Sequence, residues 1–199
     1  MSSRDSEVDA AQPRRGGFSG WLRRLRERVA GQYSIYVIYQ SPPASTGIDE
    51  RPEGKEIIRA TAEELSRSGT VLIRELSWYG GAGSDLFVCR SNGKIIGMCS
   101  FWHGERYRSR NFWPLQEGEA KLVQVIVEPS ARGKGVATAL IRQGTNAMLA
   151  QGFRRCYARV WWRNVPSRRA FLHAGWVKIA TVIEGEPLGY LRKRRLVLR

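Results

Sequence analysis

Apolar residues recur along the chain in two different rhythms, and the rhythm changes mark the elements. Phe18, Trp21, Leu22, Leu25 and Val29 fall at i, i+3, i+4, i+7 and i+11, with Arg23, Arg24, Arg26 and Arg28 filling the other positions. That spacing predicts an amphipathic helix with a basic face. Tyr33 to Gln40 is rich in aromatic and β-branched residues and predicts a strand. Residues 1–17 are polar, charged and glycine-rich, which predicts disorder. Residues 41–54 hold three prolines and two glycines and read as a linker. The expected division is a basic tail with its helix over 1–32, an extra strand and linker over 33–54, and a folded domain over 55–199.

Within that domain the signals are dense. Glu56 to Arg59 reads as a short strand. Thr61 and Glu64 have the S/T-x-x-E spacing of a capping box, which predicts a helix running to about Arg67. Strands over Asp85–Arg90 and Lys94–Trp102 flank Asn92-Gly93, the dipeptide that best suits a tight hairpin. Lys121 to Glu128 is a strand stopped by Pro129. Gly135 to Gln151 is helical, with Ala137, Leu140, Ile141 and Met148 on one stripe and Gly152 placed to end it. Cys156–Trp162 reads as a strand, Pro166–His173 as a helix, and Trp176–Ile183 with Leu188–Leu198 as a closing strand pair.

Charge changes this picture in one region. The net charge is +15, and between Pro129 and Ile183 there are ten basic residues and no acidic one. Such a block predicts a positive surface that attracts phosphate-rich ligands. The three cysteines, Cys89, Cys99 and Cys156, are widely spaced, which argues against a disulfide framework and fits a reducing compartment. With His103 and His173 the only histidines, no metal site is expected. No signal-like start or membrane-length apolar run is present, so a cytoplasmic location is expected. The basic helix near Trp21 and the Arg192–Arg195 cluster leave peripheral contact with an anionic membrane open. A homodimer is also left open.

The most informative stretch is a strand, then Pro129-Ser130-Ala131-Arg132-Gly133-Lys134-Gly135-Val136-Ala137, then a helix. A glycine-rich turn that opens a helix presents backbone N–H groups lacking intrahelical partners. Together with the Arg132 and Lys134 cations, these can cradle a pyrophosphate. The spacing is neither that of a P-loop nor that of a dinucleotide-binding turn.

These residues resemble the coenzyme A loop of the GNAT superfamily of acyltransferases, Gln/Arg-x-x-Gly-x-Gly/Ala, at Arg132, Gly135 and Ala137. Val127-Glu128-Pro129 resembles the V-x-P at the end of the family's fourth strand. Asn164, Ser167, Phe171 and Gly175-Trp176 fall at the spacing of a second family pattern. The resemblance covers roughly residues 55–199. It implies an α/β (α+β) fold, a central mixed and mostly antiparallel sheet flanked by helices, to which the N-terminal helix and strand are additions. It also implies acetyl-CoA as co-substrate and a small-molecule amine as acceptor. Val125 and Val127 would hold the pantetheine arm and supply an N–H for the developing oxyanion. Arg132, Gly133, Lys134, Gly135, Val136 and Ala137 would bind pyrophosphate, with Asn164 and Phe171 lining the site.

An alkylammonium must lose a proton before it attacks a thioester, so a base is needed. The family's strand-four glutamate often falls where this chain has Lys121. Glu119 lies two residues earlier on the same pleat face and is the favoured base. His103 is the second candidate. Phe171 stands where many relatives place a tyrosine to protonate the departing thiolate, leaving Ser167, Tyr157, water or no acid for that task. Trp102, Tyr107, Phe112 and Trp113 cluster where related enzymes bind acceptors, and of Trp161 and Trp162 at most one is expected to face a cleft. The net charge disfavours polyamines and favours a neutral or phosphate-bearing acceptor, an amino sugar among them. Two rival classes stay open: a non-catalytic acyl-CoA binder, and a basic nucleic-acid-binding protein. The latter lacks any accompanying helix-turn-helix, zinc or RNP signature.

Overall fold

A computed structural model describes residues 32–43, 54–108, 111–186 and 194–199. The amphipathic stripe from Phe18 to Val29, most of the 41–54 linker, and Arg192 and Lys193 of the Arg192–Arg195 cluster lie outside the described residues. The chain divides into two compact units. The larger is Ile35–Ile183 with Val197–Arg199, and the smaller is Met1–Ser34 with Glu184–Leu196. Within the smaller unit, Arg195 Nε lies 3.6 Å from Glu184 Oε1. The site described below lies in the larger unit.

The elements follow in the order β1 (Gln32–Gln40), β2 (Glu56–Ala60), α1 (Ala62–Ser66), α2 (Val71–Arg74) and a 3₁₀ turn at Ser77–Tyr79. After these come β3 (Ser84–Ser91), β4 (Lys94–Trp102), α3 (Gly104–Arg108) and β5 (Glu119–Val127). A second 3₁₀ turn at Pro129–Ala131 leads to α4 (Val136–Ala150), β6 (Arg155–Trp161), α5 (Val165–His173), β7 (Val177–Glu186) and β8 (Arg194–Leu198). The strands form one mixed sheet, ordered β2-β3-β4-β5-β6-β1-β7-β8. Local chemistry explains several boundaries. The capping box forms as its spacing predicts: Thr61 Oγ1 accepts from Glu64 N at 3.2 Å, and Glu64 Oε2 accepts from Thr61 N at 2.8 Å. Asn92 and Gly93 take positive φ, 49° and 74°, so the β3–β4 turn matches the strand twist. The short helices α2 and α3 carry no strong periodic signal in the sequence.

The N-terminal strand β1 lies inside the sheet, with Tyr36–Gln40 paired antiparallel to Trp161–Tyr157 of β6. Its pleat sends Val37 and Tyr39 into one core cluster and Tyr36 and Ile38 into another.

Each sheet face has its own core. On one face α4 and α5 cover Phe87, Cys99, Phe101, Leu122 and Ala158. On the other, Leu65 of α1, Ile73 of α2 and Tyr107 of α3 pack with Leu86, Val88, Met98 and Trp102. Helix α4 approaches the sheet closely because Gly144 has no side chain. A Cβ there would lie 2.8 Å from Phe101 and 3.2 Å from the Cys99 sulfur. Gly144→Val should therefore lower unfolding free energy by about 1–3 kcal/mol, read from denaturant midpoints. An unchanged midpoint would mean that α4 does not sit this close to the sheet.

Candidate active site

The parallel pairing of β5 with β6 covers only Glu119↔Arg155 to Leu122↔Ala158. Beyond Leu122, β5 stays with β4, pairing Gln124–Val127 against Ser100–Gly97. Beyond Ala158, β6 stays with β1. The two strands therefore part, and their inner backbone edges face a gap rather than each other. A register shift between Ser100 and Phe101 leaves Val123 as an extra residue of β5 at the parting.

On the helical side of the gap lies a cavity of about 580 Å³. Val125 and Val127 of β5, Gly133 and Gly135 of the loop, and Asn164 and Ala170 of α5 are among its lining residues. At its far end, Gly133 and Gly135 adopt φ of 73° and 75°, and a Cβ at either would have no neighbour within 4 Å. Gly135 is the N-cap of α4 and no side chain caps that helix, so its first-turn N–H groups point into open space. Arg132 Nε donates to Val127 O at 3.1 Å, which ties the loop to the end of β5. Lys134 Nζ donates to Ser130 O at 3.0 Å. Arg132 and Arg169 add positive charge to the lining. Open backbone donors, two glycines and these cations fit a pyrophosphate.

Opposite the helical side, the pleat carries a different chemistry. Ala120 and Leu122 point into the core under α4, so Glu119 and Lys121 point the other way, and both are buried. Glu119 Oε1 accepts from the Tyr157 hydroxyl at 3.2 Å, and Oε2 accepts from Gln116 N at 2.8 Å. Burial, reinforced by the adjacent carboxylate, pushes the Tyr157 hydroxyl above its ordinary range, so it stays a donor. Lys121 Nζ sits 3.1 Å from the Phe112 ring centroid and 4.9 Å from that of Tyr107.

Residues 55–176, more than half of the chain, match the model of the acetyltransferase (GNAT) family. The chain belongs to the GNAT family. Solved structures show the same fold. A GNAT-family acetyltransferase from Colwellia psychrerythraea is 17% identical, with a TM-score of 0.57 over 89% of this chain and 61% of that one. A GCN5-related N-acetyltransferase from Sphaerobacter thermophilus is 20% identical, with a TM-score of 0.52 over 86% and 57%. A tandem GNAT protein from the clavulanic acid biosynthesis pathway is 12% identical, with a TM-score of 0.54 over 86% and 58%. This chain thus spans about three-fifths of the length of these structures. No curated protein matches it.

Not all of the predicted residues meet at the site of this GNAT chain. Val125, Val127, Arg132, Gly133, Gly135, Val136, Ala137 and Asn164 line one cavity, with Lys134 in the same loop. Asn164 also caps α5, its Oδ1 accepting from Ser167 N at 3.1 Å. Phe171 is not among the lining residues. It lies in the core, stacked on Tyr39 at 5.5 Å and edge-on to Trp176 at 5.0 Å. Trp161 and Trp162 are both exposed, at 46% and 39%, so neither fills the core. The cysteines are buried, and burial pushes the Cys156 thiol up to about 12. Among the described residues no His, Cys, Asp and Glu cluster could hold a metal ion, and no helix is long and apolar enough to cross a membrane.

His103 is separated from Glu119 by the sheet. Trp102 faces the α1–α3 core, and His103 turns to the opposite side, 3.2 Å from buried Asp85 and against the Phe153 ring. Arg59 also pairs with Asp85. Burial and the Arg59 charge hold the imidazole below its ordinary pKa, outweighing a carboxylate already shared with Arg59. An unfolded chain then binds a proton at about pH 6.5 that the folded chain resists, so stability falls as pH drops through that value. His103→Gln should lose less stability than wild type between about pH 7.5 and 5.5, measured by denaturant unfolding. Equal losses would mean that His103 is not the group responsible.

Proposed function

We propose that this chain is an N-acetyltransferase that carries the acetyl group of acetyl-CoA to a primary amine of a small molecule. The observation that carries this reading is the parting of β5 from β6 beside the uncapped start of α4. A long, flexible thioester with a pyrophosphate at one end suits such a slot. The backbone of Val125 and Val127 borders the gap and serves the pantetheine arm as a third strand would. The loop from Arg132 to Ala137 takes the pyrophosphate at the helix start. An N–H near the extra residue of β5 is placed to take the charge that develops on the thioester oxygen.

Glu119 is the base in this reading, and Tyr157 and Gln116 N hold its carboxylate by both oxygens. The acceptor ammonium gives one proton to Glu119, and its nitrogen forms the C–N bond as the C–S bond breaks. A second proton leaves the nitrogen and ends on the thiolate, giving free CoA. Phe171 acts through packing, since its ring lies in the core and has no proton to give. A thiol with pKa near 8.5 is a tolerable leaving group without a dedicated acid.

The decisive experiment measures free thiol released from acetyl-CoA against a panel of amines, alongside CoA binding by calorimetry. CoA binding with no thiol release would favour a non-catalytic acyl-CoA binder. No CoA binding at all would end the assignment. Ala137→Glu should abolish CoA binding by setting a carboxylate in the phosphate loop. Glu119→Gln should cut turnover by about 10²–10⁴ at neutral pH with CoA affinity nearly unchanged, and activity should partly return at higher pH. Wild-type turnover in Glu119→Gln would remove Glu119 from the base role while leaving the loop assignment intact.

A further inference from the structure

Arg159 is the first residue of β6 beyond its last pairing with β5, at the point where the two strands part. The pleat puts it on the same face as Tyr157, two residues earlier, and therefore on the face of Glu119. Its guanidinium carbon lies 4.8 Å from the Tyr36 ring centroid and 4.6 Å from that of Phe112. One ring comes from β1 and the other from the connection between β4 and β5, so two separate segments hold the same guanidinium. Among the described residues no carboxylate pairs with Arg159, and the side chain is exposed.

This arrangement has a specific chemical consequence. Aromatic rings engage the flat faces of a guanidinium and leave its in-plane N–H fork for an acceptor. A fork with fixed direction matches the two oxygens of a carboxylate or phosphate. Charge points the same way. Among the described residues the positive charge of Arg159 meets rings and no carboxylate. The donor's phosphates fall elsewhere in the proposed function, at the glycine loop beyond the end of β5, so they do not supply the missing anion.

We propose that the acceptor is an amine that also carries an oxyanion, a carboxylate or a phosphate, and that Arg159 binds that group while the amine faces Glu119. This rests on the transferase reading above and names the acceptor class for that site. Exposed Trp161, directly across from Tyr36 on the neighbouring strand, adds an aromatic edge for the body of such a molecule. Arg159 is thus a specificity-determining residue that touches the acceptor.

The test uses matched amines that differ in the anion alone: 4-aminobutyrate against butylamine, and phosphoethanolamine against ethanolamine. Thiol release from acetyl-CoA is followed with wild type, Arg159→Gln and Arg159→Lys. Wild type should prefer the anionic member of at least one pair, and which pair tells carboxylate from phosphate. Arg159→Gln should raise KM for that amine by about 10- to 100-fold and erase the preference, with the neutral partner unaffected. Arg159→Lys should restore part of it, as a charge without the planar fork. Unchanged melting temperatures keep a folding defect from mimicking this result. Equal use of neutral amines by wild type, or a preference that survives in Arg159→Gln, overturns the proposal. So does weaker CoA binding in Arg159→Gln, which would assign the residue to the donor. Thiol release with none of the four amines also overturns this acceptor class, and calorimetric CoA binding then tells whether the transferase reading has fallen with it.

Discussion

Backbone hydrogen bonding on either side of one gap organises this molecule. Strand β5 pairs with β4 from Lys121 to Val127, and β6 with β1 from Tyr157 to Trp161, so each keeps one partner where the two part beyond Leu122 and Ala158. A strand edge left without a partner is costly when buried and open to use when it faces a cleft. The extra residue of β5 at the parting turns the strand away and opens the slot. Helix α4 then starts at the wide end of that slot, held against the sheet by the missing side chain at Gly144. The loop, the gap and the helix start are therefore consequences of one topological choice.

That choice gives the N-terminal strand a role that its place in the chain conceals. With β1 between β6 and β7, Tyr39 meets Phe171 in one core, and Tyr36 meets Arg159 on the other face. The strand supports both sides of the proposed reaction centre. It supports them by packing and by the cation–π contact, each a modest effect alone. Their weight comes from position, since both act at the strand beside the parting.

The face bearing Glu119 shows how polar groups are kept inside. A carboxylate that accepts two hydrogen bonds and a lysine resting on two rings lie two residues apart on one strand. Burying such groups is tolerated when each has a partner of suitable chemistry. Asp85 obeys the same rule on the opposite face, where Arg59 and His103 share it. His103 illustrates why a lone ionisable residue at a strand end is a weak guide. One step along a strand reverses the face, and here that step carries the imidazole to the side away from Glu119.

Local patterns in the sequence determined much of this. The capping box at Thr61, the Asn92-Gly93 hairpin, the strand-loop-helix around Gly133 and the family of the fold were all legible, because each depends on residues close together in the chain. That Val125, Val127 and the loop share one site was an implication of the family resemblance. Tertiary structure alone decided where β1 inserts, that Phe171 turns into the core, that Trp161 and Trp162 are both exposed, and that Arg159 rests on two rings. Those outcomes depend on pairings between segments more than a hundred residues apart in the cases of Tyr36 and Tyr39. Periodicity records which residues share a face of an element, but it does not record which element that face will meet.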